Sequence, residues 1–143
     1  MSQIEKVEIQ RLSSEAVLPT RAYPDDAGLD LYSLEKVSLE PASGVMASTG
    51  IAIAIPQGHV GLVMDRSSLA KKGFKTAGGI IDAGYRGELK VVLWNLSKDR
   101  LEIEKGERLA QLLIVPIATP AVQEVKVLPA AERGAKGFGS SGR

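Results

Sequence analysis

Two aspartates lie in surroundings where a carboxylate could do chemistry. Asp30 stands between two leucines, directly after the turn-like stretch 24–26, and Asp82 follows two isoleucines and enters a turn that contains Gly84 and Tyr85. A single aspartate in such a place usually accepts hydrogen bonds from turn N–H groups. The residues alone therefore favour a structural role for both aspartates over a catalytic one.

Arg66, Ser67 and Ser68 form a group of side chains suited to an anion. The stretch from Asp65 to Gly73 predicts one short helix, capped by the aspartate or a serine and ended by the glycine. A helix N-terminus offers free N–H donors, and a guanidinium and hydroxyls extend that set toward phosphate oxygens. An ordinary capped helix with a surface arginine is an equally good interpretation.

The segment 78–88 has an apolar pair, a polar turn and then a strand, which outlines a β-hairpin. Its glycines 78 and 79 would let a planar ligand approach the backbone, and a hairpin edge could hydrogen-bond the rim of a base. Gln111 interrupts an apolar strand, so its amide must find a partner or a ligand. A satisfied structural glutamine is the commoner outcome.

The elements that must position these residues are mostly strands. Short apolar runs separated by turns predict an all-β sandwich or barrel with one short helix. The lysines at 71, 72 and 75 are interpreted as a solvated face. The predicted strands begin near Val7 and cover 51–55, 60–64, 89–95, 101–104 and 109–117.

Length, charge and composition narrow the class of protein. The chain has 143 residues, 44% of them hydrophobic, which predicts one compact domain. With no cysteine and one histidine, disulfides, thiolate metal sites and most Ser-His-Asp arrangements are excluded. A net charge of +1 gives no field for nucleic acid or a membrane, and no stretch resembles a signal or a membrane span. We expect a soluble cytoplasmic protein.

The last eleven residues, 133–143, change character abruptly. Their glycines and serines cannot offset the entropy of ordering with buried surface, so alone they should be mobile. One phenylalanine and three cations are unusual for a plain spacer. A disordered tail, 133–143, after a β domain, 1–132, is the ordinary interpretation of such a segment.

Individually weak segments together resemble the trimeric dUTPases (dUTP nucleotidohydrolases). Five motifs of that family can be placed in order on this chain, over residues 27–142, and the strand 49–56 also resembles the family's strand between motifs. An ordered set of five is far more specific than any single motif. The motifs are AGLDLYS (27–33), RSSLA (66–70), GIIDAGYRGE (79–88), GERLAQL (106–112) and RGAKGFGSSG (133–142).

The resemblance implies a β-jelly-roll, or β-clip, subunit in a homotrimer whose three active sites are each built from three chains. It implies hydrolysis of dUTP to dUMP and pyrophosphate, with Mg²⁺ held chiefly by the triphosphate and water. That reaction limits uracil in DNA and supplies dUMP for dTMP synthesis. Since a carboxylate is a feeble base toward water, the rate must come chiefly from positioning and charge stabilisation.

The resemblance also implies residue roles. Asp82 would orient and deprotonate the water that attacks the α-phosphorus, and Tyr85 would lie under the deoxyribose and exclude a 2′-hydroxyl. Asp30 would act through structure or a metal-bound water, with no direct metal ligand. The base would meet Gly79, Ile80 and Ile81, flanked by Thr76 and Lys90. A neighbouring chain would contribute Arg66, Ser67, Ser68 and Gln111 to the phosphates. The segment 133–143 would close over the nucleotide as a flexible C-terminal lid of the same domain, and it would add Arg133, Phe138 stacked on uracil, Gly139, Ser140 and Ser141.

Four positions depart from the family pattern, and two other functions share the fold. The family often has proline at the position of Asp65 and glycine at the position of Ser68. It often has aspartate at the position of Gly84, and asparagine or aspartate at the position of Thr76. A dCTP deaminase, or a bifunctional deaminase and dUTPase, would carry a glutamate in the strand after the turn, which here has none. A dUTP-sensing binding module is the other alternative.

Overall fold

The computed structural model describes residues 4–139 and 142. Within that part of the chain the regular structure is eleven strands and one helix of six residues. The elements are β1 Glu8–Arg11, β2 Leu29–Tyr32, β3 Val37–Leu39, β4 Gly44–Ser48, β5 Ile51–Ala54, β6 His59–Met64, α1 Ser67–Lys72, β7 Phe74–Ala77, β8 Ile80–Ile81, β9 Lys90–Asn95, β10 Leu101–Ile103 and β11 Arg108–Pro116.

Four small antiparallel sheets make up the fold. The four-stranded sheet has the order β2-β11-β6-β8, the three-stranded sheet has the order β4-β9-β7, and the pairs β1-β5 and β10-β3 complete the set. The nine-residue β11 pairs with β2 on one side and β6 on the other. All-β architecture with one short helix is confirmed.

The core lies between the sheets and comes from the alternating apolar residues. Leu31, Ile51, Leu93, Leu109 and Leu112 are completely or almost completely buried. In β2 and β9 buried side chains alternate with more exposed ones, which is the period of two expected of strands, whereas Ile51 to Ile53 of β5 are buried on both faces. Packing of the strands around this core holds the connecting loops, which carry polar side chains, at the ends of the sheets.

The helix is shorter than the sequence predicts and begins differently. Arg66 is its N-cap residue and makes no side-chain cap hydrogen bond, so the prediction of a capping aspartate or serine is wrong. Gly73 does end the helix, in the left-handed conformation with φ 109°, and its N–H bonds to the carbonyl of Ala70 at 3.1 Å. Glycine adopts that conformation without the penalty a Cβ brings.

The predicted β-hairpin at 78–88 is wrong in its pairing. β8 pairs with β6, where Ile80 faces Leu62 and Ile81 faces Gly61. The strand after the turn, β9, pairs with β4 and β7 instead. The turn at 82–87 thus crosses from one sheet to another, which opens space beside it.

The C-terminal segment 117–139 contains no strand or helix and is exposed along almost its whole length. Val122 is completely exposed, and Val127 and Leu128 are mostly exposed. In the described part of the chain, no helix has the length and apolar character needed to cross a membrane.

Candidate active site

The turn at 82–87 borders a cleft of about 240 Å³, which we call the Tyr85 cleft. Four residues that were predicted to contact the nucleoside or to act in catalysis line this cleft together with Lys90. The structure therefore brings these five predicted residues together. The lining residues are Met46, Ile80, Ile81, Asp82, Tyr85, Glu88 and Lys90. Asp82 and Ile80 are exposed, so both can meet a ligand.

Arg86 braces the turn that carries Asp82. Its Nη1 donates to the carbonyl of Ala83 at 2.7 Å and to that of Tyr85 at 3.0 Å. The N–H of Tyr85 donates to the carbonyl of Asp82 at 3.1 Å. These bonds fix the backbone from Asp82 to Tyr85, which holds the Asp82 carboxylate at the start of a braced turn.

The Tyr85 side chain is held across the same turn. Its hydroxyl donates to the carbonyl of Glu88 at 2.8 Å, and the Glu88 carboxylate accepts the N–H of Gly50 at 2.9 Å. A Cβ at Gly87 would lie 2.5 Å from the Tyr85 hydroxyl oxygen, so the ring occupies the space a side chain would need. The aromatic face is therefore set by a glycine and a backbone carbonyl.

A second cleft, of about 340 Å³, lies beside the start of α1, and we call it the Arg66 cleft. Asp30 lies between two arginines there, with Oδ1 3.4 Å from Nε of Arg66 and Oδ2 3.7 Å from Nη1 of Arg108. Ser67 and Gln111 also line the cleft, and Asp26 lies among its lining residues with Oδ2 accepting the Tyr23 N–H at 3.0 Å.

The Asp30 carboxylate lies beside Nε of Arg66, and among the described residues no other carboxylate is paired with that arginine. The guanidinium also carries paired N–H donors on its two terminal nitrogens. Guanidinium groups bind phosphate through such paired N–H donors. Asp30 is an arginine partner here, which is the structural one of the two roles expected for it.

Sequence reasoning missed Arg108. It begins β11, lies opposite Tyr32 of β2 in the strand register, and is brought to Asp30 by that pairing and by an irregularity between Arg108 and Ala110. The one local indication for Arg108 is its position shortly after the turn at Gly106, and that position does not indicate which residue the arginine contacts.

Gln111 is satisfied by the backbone. Its Nε2 donates to the carbonyl of Asp65 at 2.8 Å, which confirms the expectation that the amide finds a partner. A Cβ at Gly28 would overlap Oε1 of Gln111, so this glycine is required for the side chain to reach the cleft.

Asp65 turns toward β7 and is held there. Burial opposes ionisation of its carboxyl, but hydrogen bonds from Thr76 and the nearby Lys75 outweigh that effect and lower its pKa. Oδ1 accepts the Thr76 N–H at 2.7 Å, and Oδ2 lies 3.0 Å from Nζ of Lys75. Lys75 is exposed, as are Lys71 and Lys72, which agrees with the predicted solvated face, and Lys75 in addition pairs with Asp65.

The remaining predicted positions are placed as follows. Thr76 is buried and lies outside the lining of the Tyr85 cleft, and the Gly79 carbonyl accepts the Val63 N–H at 2.8 Å. Ser68 is exposed on α1.

In the C-terminal segment, Arg133 donates from Nε to the carbonyl of Lys136 at 2.7 Å. Phe138 is fully exposed, and Gly139 has φ 87°. Ser140 and Ser141 lie outside the described residues.

The two clefts have no lining residue in common.

A family model described as dUTPase matches residues 14–142. The chain belongs to the dUTPase family. The matched range contains both clefts and all five motifs that suggested the resemblance.

Relatives that carry the name deoxyuridine 5′-triphosphate nucleotidohydrolase align over nearly the whole chain. The Rhodococcus erythropolis protein is 44% identical over 146 residues, covering 99% of this chain and 89% of its own. The Corynebacterium diphtheriae protein is 48% identical over 140 residues, covering 95% and 92%. The similarity thus extends over most of these relatives' own length.

Solved dUTPases share the fold. The dUTPase of Staphylococcus bacteriophage 80alpha, solved with dUPNHPP, superposes with a TM-score of 0.92 at 36% identity and covers 98% of this chain and 100% of its own. A mutant dUTPase of phage phi11 of S. aureus, described with a structural Mg(II) ion, has a TM-score of 0.81 at 32% identity, with 86% and 98% covered. The sheet arrangement described above is therefore that of a dUTPase.

Proposed function

We propose that this protein hydrolyses dUTP to dUMP and pyrophosphate, with Asp82 as the catalytic carboxylate. The observation that carries the proposal is the braced turn, which presents Asp82 and Tyr85 on one cleft wall in the order of the family motif. Relatives named for this activity at 44% to 48% identity support it.

Asp82 acts on the attacking water. Its carboxylate accepts the water proton while the water oxygen forms a bond to the α-phosphorus, and the bond from that phosphorus to the bridging oxygen breaks. Pyrophosphate leaves with the bridging oxygen and the electron pair. Because a carboxylate is a weak base, the fixed position of the turn contributes more than basicity does.

The Tyr85 cleft takes the nucleoside. The Tyr85 ring, held through Glu88, lies under the deoxyribose and leaves no room for a 2′-hydroxyl. The backbone of Ile80 and Ile81 hydrogen-bonds the base, with Gly79 next to them and Lys90 at the cleft margin. Thr76 supports this wall from inside the protein.

The Arg66 cleft takes the phosphates. Arg66 offers the paired N–H donors of its terminal nitrogens, and Ser67 adds a hydroxyl beside them. Ser68 and Gln111 lie next to this group. Such donors stabilise the charge that develops on phosphate oxygens as pyrophosphate leaves.

The donor set fits Mg²⁺ that arrives with the nucleotide. Asp30 is engaged by two arginines, so its role toward a metal would be through water rather than as a direct ligand. The metal, bound mainly by triphosphate oxygens, would neutralise phosphate charge. The phi11 structure described with Mg(II) supports a magnesium requirement.

The resemblance to the trimeric dUTPases implies a homotrimer with shared sites, and the separation of the clefts is consistent with sites shared between chains. The proposed catalytic group and the proposed phosphate group face different clefts of one chain. A second copy that places its Arg66 cleft against the Tyr85 cleft of the first would complete the site. We therefore assign Arg66, Ser67, Ser68 and Gln111 of each chain to a neighbour's nucleotide.

The C-terminal segment 133–143 acts as the lid of the domain formed by 1–132. Phe138 is fully exposed and is free to stack on uracil, and Arg133 can reach phosphate from the same segment. Gly139, Ser140 and Ser141 would add donors around the phosphates. Closure over bound nucleotide would exclude water from the reaction.

The test is the variant Asp82→Asn, which keeps shape and removes the basic oxygen. We expect pyrophosphate release from dUTP to fall by about 10²- to 10⁴-fold, the usual contribution of a positioned acid or base. Binding of dUPNHPP, measured by calorimetry, should stay near the wild-type value. Undiminished turnover in this variant would refute the assignment.

A further inference from the structure

Asp65 adds a negative charge next to the proposed phosphate-binding arginine. It precedes Arg66 directly in the chain, and its side chain is three-quarters buried, with 26% exposed. A carboxylate in such a place would repel an anionic ligand unless another charge compensates it. Asp65 is absent from the residues that line the Arg66 cleft, so its carboxylate acts from behind the wall.

Lys75 supplies the compensating charge. Its Nζ lies 3.0 Å from Oδ2 of Asp65 and also donates to the carbonyl of Thr76 at 2.8 Å. The lysine is thereby fixed between a side chain and a carbonyl, which lowers the entropy cost of the ion pair. No other cation is paired with Asp65 among the described residues.

The same aspartate joins three elements at the edge of the Arg66 cleft. Its Oδ1 accepts the N–H of Thr76 in β7, and its carbonyl accepts Nε2 of Gln111 in β11. Asp65 itself connects the end of β6 to the start of α1. The backbone that carries Arg66 is therefore held from both neighbouring strands.

We propose that Asp65 and Lys75 form a charge-compensated positioning pair: Asp65 holds the backbone of Arg66 against β7, and Lys75 cancels its charge toward the bound triphosphate. Neither residue touches substrate in this account. The pair rests on the proposed function, because it assigns phosphate to the Arg66 cleft.

Three variants separate charge from shape. Lys75→Gln leaves the Asp65 charge uncompensated, Asp65→Asn removes the charge and keeps an acceptor for Thr76, and the double variant carries both changes. We expect Lys75→Gln to raise KM for dUTP by about two- to fivefold, the range measured for partly exposed ion pairs, with kcat unchanged. The increase should shrink as salt is added.

Rescue is the decisive outcome. The double variant should return KM to the wild-type value, and Asp65→Asn alone should not raise it. The matched control is Lys36→Gln, which removes the same charge outside both clefts; Glu104 then loses its lysine partner, and Glu102 keeps its pairing with Arg100. It should leave KM unchanged. A KM unaffected by Lys75→Gln, or raised equally in the double variant, would overturn the proposal.

Binding of inorganic pyrophosphate keeps the test independent of turnover. Calorimetry on the same four proteins should show weaker binding for Lys75→Gln alone. If the four proteins show this pattern of pyrophosphate affinities but the wild type does not hydrolyse dUTP, the proposed function fails and the proposal for the Asp65–Lys75 pair stands. If the wild type hydrolyses dUTP and all variants bind pyrophosphate equally, the pair fails and the function stands. Thermal unfolding of each variant confirms that all are folded.

Discussion

At the scale of single residues, the position of Tyr85 depends on a glycine two places further along the chain. A Cβ at Gly87 would lie 2.5 Å from the Tyr85 hydroxyl oxygen, so Gly87→Ala must displace the ring. We expect the preference for dUTP over UTP, measured as the ratio of kcat/KM values, to fall by about 10- to 100-fold, because small misplacements in a site have effects of that size.

Gly84→Ala is the matched control for that variant. It lies in the same turn, and nothing is within 4 Å of the Cβ it would add. Its preference for dUTP should equal that of the wild type. Equal preferences in all three proteins would show that the Tyr85 ring does not select the sugar.

The resemblance of short motifs indicated roles for Asp82, Tyr85 and Arg66. Residue chemistry alone favoured a structural role for Asp82 and left two interpretations of Arg66. Arg108 and Lys75 reach their partners across strand pairs, at Asp30 and Asp65. Such contacts depend on register between distant strands, which no local pattern specifies.

At the scale of elements, periodicity located strands but not their partners. Strands β1, β5, β6, β9, β10 and β11 fall within or near the predicted apolar runs. The two residues of β8 follow the predicted apolar pair, yet they pair with β6 rather than with β9. Because a turn can join strands of one sheet or of two, the sequence near it does not settle the pairing.

The C-terminal lid is the element whose removal we expect to separate folding from turnover. Residues 133–139 are almost entirely exposed, so a chain that ends at 132 loses almost no packing and should unfold at the wild-type temperature. Its kcat/KM for dUTP should fall by about 10²-fold, because ordered donors and water exclusion are lost. Pyrophosphate release and thermal unfolding measure the two effects.

Phe138 offers a finer version of the same test. Phe138→Ala removes the aromatic face and should reproduce most of the loss, whereas Phe138→Trp keeps a face and should retain activity. Full activity of the truncated chain would reject the lid. Loss of folding in it would show that the segment stabilises the domain.

At the scale of the whole molecule, the separate clefts predict that active sites are shared between chains. Asp82→Asn and Arg66→Ala should each be inactive alone, because each proposed homotrimer would lack one half of every site. Trimers mixed from both by unfolding and refolding should regain activity, since some sites then pair an intact Asp82 with an intact Arg66 of a neighbour.

Mixing without subunit exchange is the control for that experiment. Activity should stay at the background level until the chains are refolded together. If refolded mixtures also stay inactive while native mass spectrometry shows mixed trimers, then both groups act within one chain and the shared site is contradicted.

The central claim, that the two clefts together make a hydrolase specific for dUTP, is tested most directly by pyrophosphate release from equal concentrations of dUTP, UTP, dTTP and dCTP with Mg²⁺. We predict release from dUTP with dUMP as the nucleotide product, and little from the other three. Equal release from UTP or dTTP would contradict the selection of sugar and base, deaminated product from dCTP would indicate the deaminase chemistry, and no release from dUTP would contradict the account as a whole.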